Sequence, residues 1–156
     1  STIRYIAFSL PYNMVLYVKQ HPGAVGIFPK TFYRDVLSIP NVRIIDPSEN
    51  NYKLCKRAEA VVTLTSTLGL EAALLGVKVL LLGDVFYNVH PMCKRVYSYE
   101  EITKELLEGY HRPDTNELII MNNSFWDWYF RNTIPGNILK SEANGLALIN
   151  KLESVL

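Results

Sequence analysis

Short apolar runs alternate with segments of helical periodicity along the first half of the chain. The runs at residues 14–18 and 77–82 have the length and composition of buried strands. Between the runs, apolar residues such as Phe32 and Val36 recur at helical spacing. The pattern predicts strands at residues 14–18, 41–46, 60–64 and 77–83, and helices at residues 30–38, 49–58 and 66–76. This alternation is typical of an α/β fold, a Rossmann-like parallel sheet flanked by helices.

The pattern changes after Gly83. A loop with a short strand near residues 95–97 leads to an amphipathic helix at residues 98–111, which Ser98 and Glu101 are placed to cap. A less regular helix follows at residues 115–133, then a break at Pro135 and Gly136, and a terminal helix at residues 141–156. We therefore expect a core at residues 1–97 and a helical C-terminal tail, residues 98–156, packed on the same domain.

Composition excludes several classes of function. The chain has 156 residues, of which 49% are hydrophobic and 20% charged, as in an ordinary single globular domain. A formal net charge of +1 gives no field that would recruit nucleic acid. No apolar stretch approaches the roughly 20 residues of a membrane span. The two cysteines, Cys55 and Cys93, lack metal-ligand spacing, and we expect small buried side chains in a reduced, cytoplasmic setting.

Polar clusters follow three of the predicted strands, at residues 19–23, 46–51 and 63–67. In an open parallel sheet, ligands bind beyond the carboxyl ends of the strands, where loops enter helices. All three clusters fall at that edge. The sequence therefore predicts a binding site there.

The third cluster has the chemistry of a phosphate site. Ser66, as a candidate N-cap, and Thr67 enter a helix whose first turn offers free N–H groups. Glu71 lies one turn further on the same side as Thr67, where it could accept hydrogen bonds from ribose hydroxyls. A plainer interpretation also stands, in which Ser66 only caps the helix and Glu71 reaches water.

The first cluster offers a cation and an imidazole. Lys19 and His21 share a face if the strand continues through them, and either could contact phosphate. The alternative is a histidine that caps a turn beside a solvated lysine. A second His-Pro pair, His90 and Pro91, lies in an aromatic loop, where we expect a structural or lid role.

The stretches "VKQHPG" and "VVTLTSTLGLEAALLGVKVLLLGDVFY" together resemble the capsule polysaccharide biosynthesis family. Members of that family are bacterial transferases of the Kdo (3-deoxy-manno-octulosonic acid) type with the GT-B fold. The resemblance covers residues 14–88 and implies a domain that binds a nucleotide sugar, CMP-linked Kdo. By position, His21 would contact the donor phosphate, Ser66 and Thr67 would hold it, Glu71 would bind the ribose, and Lys19 would add a charge.

The resemblance implies that the chain corresponds to one half of a GT-B enzyme. The resemblance implies a missing N-terminal acceptor domain that carries the catalytic base, so we expect no activity from this chain alone. No catalytic residue is assigned. No Asp-x-Asp pair or ligand cluster suggests a metal, and the donor is a substrate rather than a cofactor. Peripheral association with the inner membrane is compatible with this reading.

Three alternatives remain open. Glycerophosphotransferases that use CDP-glycerol also have a His-Pro strand end, and UDP-N-acetylglucosamine 2-epimerases have a similar glutamate-bearing helix. The third alternative is a non-catalytic binding or scaffolding module. In it, the aromatic segment from Phe125 to Phe130 would dock a partner or a membrane surface instead of packing in the core.

Overall fold

The computed structural model describes residues 1–133. Its elements, in chain order, are α1 (Thr2–Ser9), β1 (Leu16–Lys19), a 3₁₀ turn (Pro22–Ala24), α2 (Lys30–Leu37), β2 (Val42–Ile45), α3 (Asn51–Arg57), β3 (Ala60–Thr63), α4 (Leu68–Leu74), β4 (Lys78–Leu81), β5 (Cys93–Arg95), α5 (Tyr99–Leu107) and α6 (Thr115–Asn132). The predicted break at residues 135–136 and the terminal helix at residues 141–156 lie outside the described residues.

All strand pairings are parallel in the part of the chain that the structure describes. β1 pairs with β2, with Leu16 opposite Val42. β3, β4 and β5 form a second sheet in that order, with Val61 opposite Val79 and Leu80 opposite Lys94. The α/β class and the parallel, helix-flanked strands predicted from the sequence are confirmed.

The centre of the core is β4, whose side chains alternate between two layers. Val79 and Leu81 are fully buried in one cluster, together with Phe125 of α6. Leu80 points to the opposite face and packs with Ile102 of α5. Because side chains alternate along a strand, one short strand can bury residues on both faces of the sheet. α5 and α6 therefore cover opposite faces of the second sheet.

Several predicted boundaries differ from the structure. β1 begins at Leu16, two residues after the predicted start, and β5 ends at Arg95 instead of beginning there. The region of α6 predicted as irregular is one continuous helix of 18 residues. It starts with a capping box, in which Asp114 accepts from the Glu117 backbone and Glu117 bonds back to the Asp114 N–H. Two backbone N–H groups that have no partner within the helix are thereby satisfied at its start.

His90 has a structural role, which is the first of the two roles expected for it. The side chain is 1% exposed, and Nδ1 accepts a hydrogen bond from the Met92 N–H at 3.1 Å. The remaining ring nitrogen, Nε2, lies 3.0 Å from the amide oxygen of Asn122 on α6 and donates to it. Burial lowers the pKa of His90, so the neutral ring links this loop to α6.

Candidate functional site

Hydrogen bonds connect the carboxyl ends of the first three strands. Lys19, the last residue of β1, donates from Nζ to the Glu49 carbonyl at 2.6 Å and to Asn51 Oδ1 at 2.5 Å. The amide nitrogen of Asn51 lies 3.5 Å from Glu71 Oε2. Asn51 begins α3 and Glu71 lies on α4, so side chains from three successive strand–helix connections meet. We call Lys19, Asn51 and Glu71 the bridging triad.

The charges of the triad lie close to a buried thiol. Burial and then the Glu71 carboxylate raise the pKa of Cys55, whereas the Lys19 ammonium lowers it. Cys55 is 2% exposed and stays a neutral thiol, as expected from the sequence. Glu71 itself is exposed, so its carboxylate can accept hydrogen bonds from a bound ligand.

His21 does not share a strand face with Lys19, because β1 ends at Lys19. Instead, His21 precedes the 3₁₀ turn, and its Nδ1 accepts from the Gly23 N–H at 3.0 Å. In the neutral ring this bond places the proton on Nε2. His21 therefore caps the turn through Nδ1, as the alternative interpretation expected. Nε2 of this exposed ring can still donate a hydrogen bond to a ligand.

Gln20 holds the turn that carries His21, a role the sequence did not reveal. Its amide nitrogen donates to the Ala24 carbonyl at 2.5 Å, and its amide oxygen accepts from the Tyr33 hydroxyl at 2.8 Å. The turn is thus attached to α2 through Tyr33. A strand-terminal Gln is too common a residue for its spacing alone to have indicated this.

The N-cap of α4 lies one residue later than the sequence predicted. Thr67 occupies the N-cap position with helical backbone angles, φ −61° and ψ −16°, and its side chain makes no cap bond. Ser66 precedes it, and its hydroxyl accepts from the Leu68 N–H at 3.2 Å in a two-residue serine turn. Ser66 still satisfies an N–H of the helix start. Both hydroxyl residues are exposed.

Close packing fixes the turn beneath Ser66. The Ser66 N–H donates to Thr63 Oγ1 at 3.2 Å, and the Tyr87 hydroxyl donates to the Ser66 carbonyl. Tyr87 is 1% exposed, and burial raises its pKa, so the phenol stays a donor. A Cβ atom added at Gly69 would lie 2.5 Å from the Tyr87 hydroxyl, so α4 can approach this phenol only because residue 69 is glycine. The signal for Tyr87 in the sequence was the Phe-Tyr pair after β4.

The structure links two of the five predicted site residues through one intervening side chain. Lys19 and Glu71 meet through Asn51, and Ser66 and Thr67 precede the helix that carries Glu71. Within residues 1–133, no hydrogen bond joins His21 to the other four. No group of three His, Cys, Asp or Glu side chains in that range could hold a metal ion.

No helix among the described residues is both long and apolar enough to cross a membrane.

Comparison with known proteins gave two matches. The model of the family described as capsule polysaccharide biosynthesis protein matches residues 6–118. Protein FixF of Sinorhizobium fredii (strain NBRC 101917 / NGR234) is 36% identical to the chain over 115 residues. That alignment covers 72% of this chain but 27% of FixF, so the chain spans a minor part of the curated relative it matches. No solved structure matches the chain.

Proposed function

The chain belongs to the capsule polysaccharide biosynthesis family, and we propose that it binds the nucleotide-sugar donor of a glycosyltransferase in bacterial capsule or surface polysaccharide biosynthesis. The donor we expect is CMP-linked Kdo, on a GT-B enzyme whose second domain supplies the acceptor site and the catalytic base. One observation carries the proposal. The bridging triad joins three successive strand–helix connections at the edge where open α/β sheets bind ligands.

The donor phosphate would lie between the 3₁₀ turn and the start of α4. His21 would donate from Nε2, and the exposed hydroxyls of Ser66 and Thr67 would donate from the other side. α4 has seven residues, so side-chain donors would contribute more than its short dipole. Lys19 would add positive charge near the phosphate. Stabilising the departing nucleotide phosphate is the catalytic contribution such a domain can make.

Glu71 would bind the ribose. An ionised carboxylate has two oxygens and can accept from both hydroxyls of a ribose diol. The Asn51 amide, 3.5 Å from Oε2, orients that carboxylate, and Lys19 in turn orients Asn51. The triad would therefore act as a positioned sugar-hydroxyl acceptor. We place the domain in the cytoplasm, where peripheral contact with the inner membrane fits the proposal.

Isothermal titration calorimetry with CMP, CDP and UDP tests the proposal. We expect CMP to bind the chain, and His21→Ala and Glu71→Ala each to weaken binding about tenfold or more, as for a lost hydrogen bond to a charged group. His111→Ala and Glu59→Ala are the matched controls, because both side chains are exposed and neither belongs to the proposed site. The controls should bind CMP as the unchanged chain does.

The pattern of nucleotide preference separates the alternatives. A clear preference for CDP would favour the glycerophosphotransferase-like function, and binding of UDP alone would favour the epimerase-like one. Absence of binding for all three nucleotides at millimolar concentration would refute the donor-site proposal. A non-catalytic binding module would then be the remaining candidate.

A further inference from the structure

A second concave surface lies at the same edge of the fold, beyond β3, β4 and β5. It encloses about 500 Å³ and includes Leu64, Arg95, Tyr97, Tyr99 and Glu100 in its walls. Its volume is in the range of small-molecule sites. None of the bridging triad lines it, so it is separate from the proposed nucleotide site. We call it the tyrosine cavity.

Tyr97 presents an exposed aromatic ring to this cavity. The residue is 80% exposed, although a large aromatic side chain is ordinarily at least half-buried. The Arg95 guanidinium lies 5.0 Å from the ring centroid, a cation–π contact. The Tyr97 N–H donates to Glu101 Oε2 at 2.8 Å, and the preceding Val96 is buried. The ring is therefore open to solvent on an anchored backbone.

Arg95 supports the ring and is not positioned to attract phosphate. Its Nε lies 3.1 Å from Asp84 Oδ1 in an ion pair. Its Nη1 donates to the Leu81 carbonyl at 3.0 Å and to the Val96 carbonyl at 3.1 Å. With three acceptors already in place, the guanidinium is neutralised and fixed. The cavity thus lacks the character of a second phosphate site.

The cavity wall also includes a second ring and a carboxylate. Tyr99 stacks on Tyr5 of α1, with ring centroids 5.1 Å apart and planes inclined by 19°. Glu100, in the first turn of α5, is exposed. A backbone N–H and the Ser98 hydroxyl lower the pKa of Glu100, so its carboxylate is ionised and can accept hydrogen bonds.

An exposed aromatic face beside a carboxylate suits a polyhydroxylated ring. The C–H face of a pyranose is apolar and slightly positive, which complements the negative face of an aromatic ring. The hydroxyls at the rim of the same pyranose are donors for a carboxylate. A flat nucleobase would meet the ring equally well, but it would bring fewer donors to Glu100.

We propose that the tyrosine cavity binds a pyranose sugar ring, stacked on Tyr97 and hydrogen-bonded to Glu100. This deepens the proposed function and rests on it for the source of the sugar, because Leu64 of the cavity wall is two residues before Ser66 of the nucleotide site. The sugar is either the one carried by the nucleotide donor or the end of a glycan acceptor. Both sources present the same ring chemistry to Tyr97.

Saturation-transfer NMR on the full chain tests the cavity with two sets of probes. CMP-Kdo compared with CMP reports a donor sugar, and methyl hexopyranosides without a nucleotide report an acceptor-like sugar. We expect sugar-proton signals in at least one set, weakened about tenfold in affinity by Tyr97→Ala, as for loss of a stacked ring. Tyr97→Phe should retain the signals, because it keeps the ring. Tyr12→Ala is the matched control, since Tyr12 is fully exposed outside the cavity.

The two proposals fail in different ways. If CMP binds but neither probe set gives sugar signals, or if the signals persist in Tyr97→Ala, the cavity proposal is wrong and the nucleotide site stands. If CMP does not bind but methyl hexopyranosides bind in a Tyr97-dependent manner, the cavity proposal holds and the nucleotide site is wrong. Tyr97 is exposed, so its truncation should leave the circular dichroism spectrum and melting temperature unchanged.

Discussion

The two sheets supply the proposed nucleotide site in different ways. In the first sheet, Tyr17 is 63% exposed and the site residue Lys19 is held by hydrogen bonds to polar groups near the surface. In the second sheet, Leu80 and Leu81 have no exposed surface, and the Ser66 turn rests on buried Tyr87. Exposed polar contacts contribute little to stability, whereas core packing contributes much. Core packing therefore holds the half of the site around Ser66, which we call the packed half. Hydrogen bonds near the surface hold the half around Lys19 and His21, which we call the tethered half.

This difference carries a functional consequence. Interior packing leaves few alternative arrangements, so we expect the Ser66 turn to be formed before a ligand arrives. The turn at His21 is held by the Gln20 side chain, by the His21 ring and by backbone hydrogen bonds within the turn. We therefore expect the first half of the site to adjust around the ligand and the second half to serve as its template.

Adding one methyl group in each half of the site should give the largest difference in the free energy of unfolding. Gly69→Ala would place a Cβ 2.5 Å from the Tyr87 hydroxyl and 3.0 Å from Thr63 Cγ2. Overpacking of this kind costs about 1–3 kcal/mol in the free energy of unfolding. Gly23→Ala places its Cβ 3.2 Å from the exposed His21 ring, which can move aside, so we expect a change within about 0.5 kcal/mol. Urea denaturation of both variants measures the difference.

Equal losses in the two variants would remove the distinction between a packed and a tethered half. A stable Gly69→Ala would show that Tyr87 can shift without cost, and the Ser66 turn would then not be preformed. Calorimetry with CMP on the same variants adds a second check. Gly69→Ala should weaken CMP binding by displacing the Ser66 turn.

The next largest expected effect is a dependence of stability on pH, and it distinguishes the histidines of the two His-Pro pairs. Burial lowers the pKa of His90 in the folded chain, so the unfolded chain takes up a proton at a higher pH. Stability is therefore complete above the ordinary histidine pKa of about 6.5 and falls as pH decreases toward the folded pKa, by up to about 1.4 kcal/mol per pH unit. His90→Asn should flatten this part of the stability profile, measured by urea denaturation between pH 7.5 and pH 5.5.

His21→Asn is the matched variant for His90→Asn. His21 is exposed, so its replacement controls for the loss of a histidine at the surface. A slope that survives in His90→Asn would mean that the buried ring is not the group that titrates on unfolding.

The sequence predicted the fold better than the details of the site, for a physical reason. Apolar periodicity reports burial, and burial dominates the second sheet, where β4 and α4 lie within their predicted ranges. The start of β1 was placed too early because Met14 and Val15 are apolar, yet Val15 is 44% exposed. Periodicity could not show that this run faces solvent.

Site residues were predicted by type and position, while their partners were not. Lys19 fell at a strand end and Glu71 on the helix after another strand, but only the fold could bring them to the same Asn51. The strand face shared by Lys19 and His21 was wrong, because pairing with β2 stops at Ile45. Tyr87 and Gln20 act through long-range hydrogen bonds that no local spacing encodes.

Removing the charge of Lys19 has the smallest expected effect on stability. It tests directly whether the tethered half of the site contributes to binding without contributing to stability. Lys19→Met keeps the aliphatic stem, so we expect the free energy of unfolding to change by less than about 0.5 kcal/mol, like other surface changes. CMP affinity should nevertheless fall, because Asn51 loses its donor and the phosphate loses a nearby cation. Lys53→Met, at an exposed position on the same helix as Asn51, should change neither quantity. A large loss of stability in Lys19→Met would instead show that the hydrogen bonds of Lys19 stabilise the first sheet. Both halves of the site would then depend on interactions that also stabilise the fold, and the proposed distinction between them would be wrong.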